Sequence, residues 1–146
     1  MAALSGKCLQ RLHRLATDSK SLLMATRCTL NAIGFPDDGV TPGTCLSAGT
    51  PLTWQVALQS CENLFYEGYD DWRLPNLKEL LQLVDFSLAS PSIDSSVFPS
   101  SAVNYDWSST TNTANTGAAL AIDLSDSTIY STAKNTSHHT RCVRGP

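Results

Sequence analysis

Seven glycines and prolines, Gly34, Pro36, Gly39, Pro42, Gly43, Gly49 and Pro51, fall within residues 34–52. These residue types interrupt both the helical and the strand period, so no long regular element passes through that stretch. The chain is thereby divided into a short first segment and a longer body. A second interruption runs from Ser87 to Ser101, where serine density together with Pro91 and Pro99 excludes long elements, while Ile93, Val97 and Phe98 are apolar enough to anchor the loop to a core. At 146 residues the whole fits one domain.

Between the two interruptions the apolar residues follow helical spacing. Thr53 is placed to cap a helix in which Trp54, Ala57, Leu58, Cys61, Leu64 and Phe65 form one buried stripe. Gly68 lies beyond its end, and Tyr69-Asp70-Asp71 makes a polar turn. Asn76, with Glu79 three residues on, predicts a capping box for a second helix whose stripe is Leu77, Leu80, Leu81 and Val84. The last third alternates instead. Leu120, Ile122 and Leu124 share one strand face, Ser125-Asp126-Ser127 turns the chain, Thr128–Ala133 returns, Lys134–His139 forms an exposed connection, and Thr140–Arg144 adds a third strand. Two helices packed on one face of an antiparallel meander is an α+β layout. Ahead of the break, Leu9, Leu12, Leu15, Ala16 and Leu22-Leu23 predict a short amphipathic helix within residues 7–24. Residues 1–40 therefore read as an N-terminal appendage that packs on its own domain or on a neighbouring subunit, and residues 41–146 as the domain proper.

Composition narrows the function classes. Apolar residues make up 42% and charged residues 16%, which excludes global disorder. Five cations against one anion give residues 1–34 a charge of +4, so a total of −3 leaves −7 on residues 35–146. An acidic body has no electrostatic footprint for a phosphate backbone, and nucleic acid is not an expected partner. No stretch approaches the roughly 20 apolar residues that cross a bilayer. The one signal-like run, Ser21–Ala25, falls short of a signal-peptide core. The five cysteines, Cys8, Cys28, Cys45, Cys61 and Cys142, contain no Cys-x-x-Cys pair and no histidine at zinc-ligand spacing, so no metal site and no cofactor is expected. The odd count leaves at least one thiol free or paired between chains.

Three segments carry a family likeness: Gly68–Leu80 with its Trp72-Arg73-Leu74-Pro75 centre, Tyr105-Asp106-Trp107-Ser108-Ser109-Thr110, and Arg141-Cys142-Val143-Arg144-Gly145. In this order they resemble the Lcl C-terminal domain family over about residues 53–146. The Arg73-Leu74-Pro75 helix start and the Arg141–Arg144 close are also similar to the formylglycine-generating-enzyme type of C-type-lectin-like fold. The resemblance implies a C-type-lectin-like architecture, a bridge between Cys61 and Cys142, an exported or cell-surface setting, and an adhesion role with sulfated polysaccharide as one possible ligand.

The residues themselves argue against catalysis. Formylglycine-type oxidation needs a suitable reactive cysteine near the C-terminal sheet, where only Cys142 occurs; iron-dependent relatives use spaced histidines, whereas His138 and His139 are adjacent and point to opposite strand faces. The calcium-binding sugar motifs of C-type lectins do not occur, and Ser108-Ser109 lacks a nucleophile elbow. Trp72 and Trp107 lie inside the motifs and are expected in the core. Arg73, Arg141 and Arg144 are expected in local ion pairs rather than as an anion site. The remaining surface is polar and adaptable: Asn112, Asn115, Tyr130, Lys134, Asn135, His138 and His139, within residues 110–116 and 130–139, are the expected ligand contacts. The reading is a non-enzymatic adhesion module that binds a glycan or protein surface. Its rivals are a degenerate formylglycine-generating-type protein, a structural domain that assembles as a homo-oligomer through residues 1–34, and a hypervariable display protein.

Overall fold

The computed structural model describes residues 9–12, 15–18, 21–39, 44–99 and 105–145. Cys8 and His13, and parts of the segment expected as a helix over 7–24, lie outside them. The class is α+β, with two helices and antiparallel sheets. The order is β1 (Leu9–Leu12), β2 (Leu15–Asp18), β3 (Met24–Thr26), β4 (Leu52–Thr53), α1 (Trp54–Glu62), α2 (Leu77–Leu83), β5 (Tyr105–Thr111), β6 (Ala118–Asp123), β7 (Thr128–Ala133), β8 (Ser137–His138) and β9 (Val143–Arg144). The strands form a β1-β2-β3-β9 sheet, a β4-β8 pair and a β5-β6-β7 meander.

Among the described residues of 7–24 the expected amphipathic helix is absent. The described residues of that segment form β1, β2 and β3, and β3 pairs with β9 through Ala25↔Val143 and Met24↔Arg144. Leu22 has φ of 60°, a left-handed conformation that no helix could carry through. The segment is also built into the core. Leu15 joins one apolar cluster with Leu30, Ala57, Cys61, Trp72, Trp107, Ala121 and Cys142, whereas Ala16, Leu23 and Ala25 join a second with Leu80, Leu83, Ile93, Phe98, Ile122 and Val143. Consecutive residues of one strand thus face two different cores, as do Ala121 and Ile122 on β6 and Cys142 and Val143 beside β9. A strand buried on both faces loses its polar alternation, and a short apolar run of that kind cannot be told from a helix by spacing.

This layering corrects two further expectations. The helices do not share a face: Ala57 and Cys61 of α1 belong to the first cluster, Leu80 and Leu83 of α2 to the second, so they cover opposite sides of the meander. The segment Thr140–Arg144 is not the third meander strand either. That place is taken by Tyr105–Thr111, and Val143–Arg144 closes the N-terminal sheet. The anchors expected between 87 and 101 do their work, since Ile93, Val97 and Phe98 are all buried. Arg27 ties this loop to β3's end through Nε to the Val97 carbonyl at 2.7 Å and Nη2 to that of Ser96 at 3.0 Å.

Both helices start where the sequence places them. Thr53 occupies the N-cap of α1, though its side chain makes no capping bond, and Phe65, expected in the buried stripe, is exposed. The capping box of α2 is complete: Asn76 Oδ1 accepts from the Glu79 N–H at 2.9 Å and Glu79 Oε1 accepts from the Asn76 N–H at 3.0 Å. Arg73 donates to the same carboxylate, at 2.6 Å through Nη2, so the charged residues of the motif lock one another. Trp72 is buried, donating from Nε1 to the Tyr66 carbonyl at 3.2 Å. Two disulfides complete the frame, Cys28–Cys45 and Cys61–Cys142, the second with Cα atoms 5.5 Å apart. Cys61 lies on α1 and Cys142 just before β9, so the bond joins the first helix to the last strand.

Candidate recognition surface

The meander carries most of the polar residues singled out above. Loop 112–117 joins β5 to β6 and meets the end of β7: the Asn112 N–H donates to the Ala118 carbonyl at 3.0 Å, and the Lys134 N–H to the Gly117 carbonyl at 2.9 Å. The asparagines shape this loop. Asn112 Oδ1 accepts from the Ala114 N–H at 3.0 Å while its Nδ2 donates to Ser131 Oγ at 2.8 Å, and Asn115 Oδ1 accepts from the Gly117 N–H at 3.2 Å. Asn115 and Asn135 are exposed. The Lys134 ammonium stands 4.0 Å from the centroid of Trp54, whose Nε1 donates to the Ser108 carbonyl at 2.9 Å. Asn112, Asn115, Lys134 and Asn135 therefore gather at one end of the sheet, held by its backbone. Tyr130 lies along β7, 42% exposed, edge-on to Tyr105 at 5.3 Å.

His138 and His139 do not belong to this surface. The connection expected to be exposed contains β8, which pairs with β4 through Leu52↔His138, and the two histidines retain only 8% and 6% exposure. They face opposite ways. His138 is wedged between Tyr105 at 5.1 Å and Trp107 at 4.7 Å, with Nε2 3.0 Å from Thr132 Oγ1. His139 shares its surroundings with the buried ion pair of Asp106 and Arg141, whose Oδ2 and Nη1 are 3.1 Å apart. Burial pushes the Asp106 carboxyl up, against the pull of Arg141 and His139. The expected grouping of arginines as ion-pair partners holds, with particular partners. Arg73 joins Glu79, Arg141 joins Asp106, and Arg144 joins Asp71, Nε to Oδ1 at 2.6 Å, while lying 3.8 Å over the Tyr69 ring.

Burial lowers the pKa of both histidines. Proximity to His139 adds to the effect on His138, and at His139 Asp106 opposes it while Arg141 reinforces it. Their folded values thus lie below the unfolded value near 6.5, so the unfolded chain takes up more protons below that pH. The stability they contribute is complete above 6.5 and is lost as pH falls toward the lowered folded values. The melting temperature should drop on acidification from about pH 7 to about pH 5.5, and His138→Phe should shrink that drop. An unchanged pH slope in the variant would assign the effect elsewhere.

The sequence places Trp54 in a helical stripe and Tyr105 in a family motif, and gives neither of them, nor Ser131, a part in recognition. The helical spacing of Trp54 predicts only core, and its pairing with Lys134 spans 80 positions. A second surface lies outside these expectations: a cleft of about 440 Å³ between the 33–35 loop and the outer side of α1, where Ile33, Phe35, Val56 and Phe65 stand beside the polar Gln59, Ser60 and Asn63. Among the described residues no group of three or more His, Cys, Asp or Glu is arranged to hold a metal ion, and no helix is long and apolar enough to cross a membrane.

The model of the Lcl C-terminal domain matches residues 14–144, from the start of β2 through β9. The chain belongs to the Lcl C-terminal domain family. The match begins well inside the segment set apart as an appendage, in keeping with the burial of Leu15, Ala16, Leu23 and Ala25 in this Lcl C-terminal domain. No curated protein matches the chain in sequence.

Proposed function

We propose that this Lcl C-terminal domain is a non-catalytic adhesion module of C-type-lectin-like fold that binds a glycan or protein surface through Asn112, Asn115, Tyr130, Lys134 and Asn135. The observation that carries the reading is the gathering of these side chains on β7, where five of six residues are exposed, and on the loops at its end. A rigid sheet that presents short polar loops and an aromatic ring is a common basis for recognition. Several features favour a neutral glycan or a protein over a polyanion. Arg73, Arg141 and Arg144 are held in ion pairs, Lys134 lies over Trp54, and the Tyr105 phenol's pKa is raised by burial first and then by Asp123, Tyr130 and Asp126. The non-catalytic reading is supported by Cys142, which is joined to Cys61 and so has no thiol to offer.

Replacing Asn112, Asn115, Tyr130, Lys134 and Asn135 together with Ala should leave the chain folded at a loss of a few kcal/mol, since exposed positions usually cost about 0.5 kcal/mol or less each and Asn112 and Asn115 also give up the loop bonds to Ser131, Ala114 and Gly117. Binding on a glycan array and in protein pull-downs should be lost. A variant that binds as the parent does would move the recognition surface elsewhere, with the cleft beside α1 the next place to test.

A further inference from the structure

The cleft beside α1 is built from a loop and a helix whose positions the chain itself fixes. Asn31 accepts through Oδ1 from the Ile33 and Phe35 N–H groups at 3.1 and 3.2 Å, and its own N–H donates to the Phe35 carbonyl at 2.8 Å, so residues 31–35 form a closed turn. Gly34 brings that turn against the helix, where a Cβ at this position would lie 2.5 Å from Ser60 Oγ. Phe35 is braced edge-on by the buried Tyr66 at 5.4 Å, and the Tyr66 hydroxyl donates to Asp38. Across from the turn, Val56, Gln59 and Asn63 recur at helical spacing, with Asn63 as the C-cap of α1. The cleft is therefore preformed, as ligand sites usually are.

Ile33 is 88% exposed and Phe65 68%, with Phe35 and Val56 exposed beside them. Exposed apolar residues scattered singly are ordinary, whereas a group of them rimmed by polar residues marks an interaction site. The surrounding charge has one sign. From Cys28 to Trp72 the chain contains six Asp and Glu and no Lys, Arg or His. Glu62 and Glu67, both exposed, bracket Asn63–Phe65 in sequence, and Asp37 and Asp38 follow Phe35. Lys134 stands over Trp54, which lies on the opposite side of α1 from Val56.

We propose that this cleft binds a basic segment of another protein, which inserts a large apolar side chain among Phe35, Val56 and Phe65. Gln59 and Asn63, one helical turn apart, each offer the backbone of that segment a donor and an acceptor, and the acidic surroundings receive its Lys and Arg side chains. The other occupants fit less well. The acidic body of a second copy of this chain would meet like charge, and Ile33 and Val56 stand where a sugar would need hydrogen-bond partners. The site is separate from the meander surface and goes beyond the recognition proposed for it.

Panning a phage-displayed library of random dodecapeptides on the full chain should enrich sequences that set Leu, Phe or Trp among Lys and Arg. Fluorescein-labelled copies of those peptides should bind, and more weakly as NaCl is raised, because exposed opposite charges are screened. Phe65→Ser should weaken the binding about tenfold, the effect of losing an anchor ring. Glu62→Lys should weaken it about threefold and flatten its salt dependence. Both positions are exposed, so both variants should stay folded, as circular dichroism would verify. The chain replaced at Asn112, Asn115, Tyr130, Lys134 and Asn135 should bind the peptides as the parent does, and F65S should keep the parent's binding on the glycan array. A library that yields nothing above background, enriched peptides without basic residues, a saccharide that displaces them, or a folded F65S that binds them unchanged would overturn the proposal. Peptide binding lost in the five-site variant and kept in F65S would also overturn it, by placing the segment on the meander. Failure of the meander reading, in contrast, would leave the dependence on Phe65 untouched.

Discussion

Trp107→Ala should destabilise the protein by about 3–5 kcal/mol, the range for deleting a large aromatic from a well-packed core. The indole has 0% exposure and lies among Leu52, Ala57, Ala119, Ala121 and Cys142. Its neighbours come from β4, α1, β6 and the stretch before β9, so collapse around the cavity would need several elements to move together. A polar loss adds to the apolar one, because Nε1 donates to the Leu52 carbonyl at 2.8 Å and truncation leaves that buried acceptor unpaired. Against a total stability of about 5–15 kcal/mol for a domain, this is a large share. Trp107→Phe keeps most of the ring area and should fall between the two. Urea unfolding of the three proteins is the measurement, and a loss under about 1 kcal/mol for the alanine variant would contradict a packed indole here.

Removing the Cys61–Cys142 bond by a double alanine substitution should cost about 4–5 kcal/mol, chiefly by freeing the denatured chain. The bond spans 81 positions, whereas Cys28–Cys45 spans 17. Loop-closure entropy grows with the logarithm of that span, so the shorter bridge should be worth only about 3 kcal/mol, and the order of the two double variants tests the mechanism. Cys61 and Cys142 are also fully buried beside Trp107, so their truncation adds a packing loss that the partly exposed Cys45 does not. Equal losses would show that loop entropy is not the controlling quantity. Reduction under native conditions should follow the same burial, with the Cys28–Cys45 bond opening first.

Local chemistry was legible in the sequence wherever neighbours along the chain settle it. The capping box of Asn76 and Glu79, the period of Trp54–Cys61, and the turn between β6 and β7 at 124–127 depend on residues a few positions apart, and each is found. The Trp72, Tyr105–Thr110 and Arg141–Gly145 motifs sufficed for the family, and with it the disulfide. What lay beyond reach depends on residues far apart. The first strands look helical because Leu15 and Ala16 each have a core of their own, a fact created by β9 and both helices packing on opposite sides. His138 and His139 look like surface ligands because nothing nearby in sequence announces that β8 will pair with β4. Polarity and spacing determined the elements and their ends; the order in which distant strands met determined which faces were buried, because burial is a property of pairs of segments and not of either one alone.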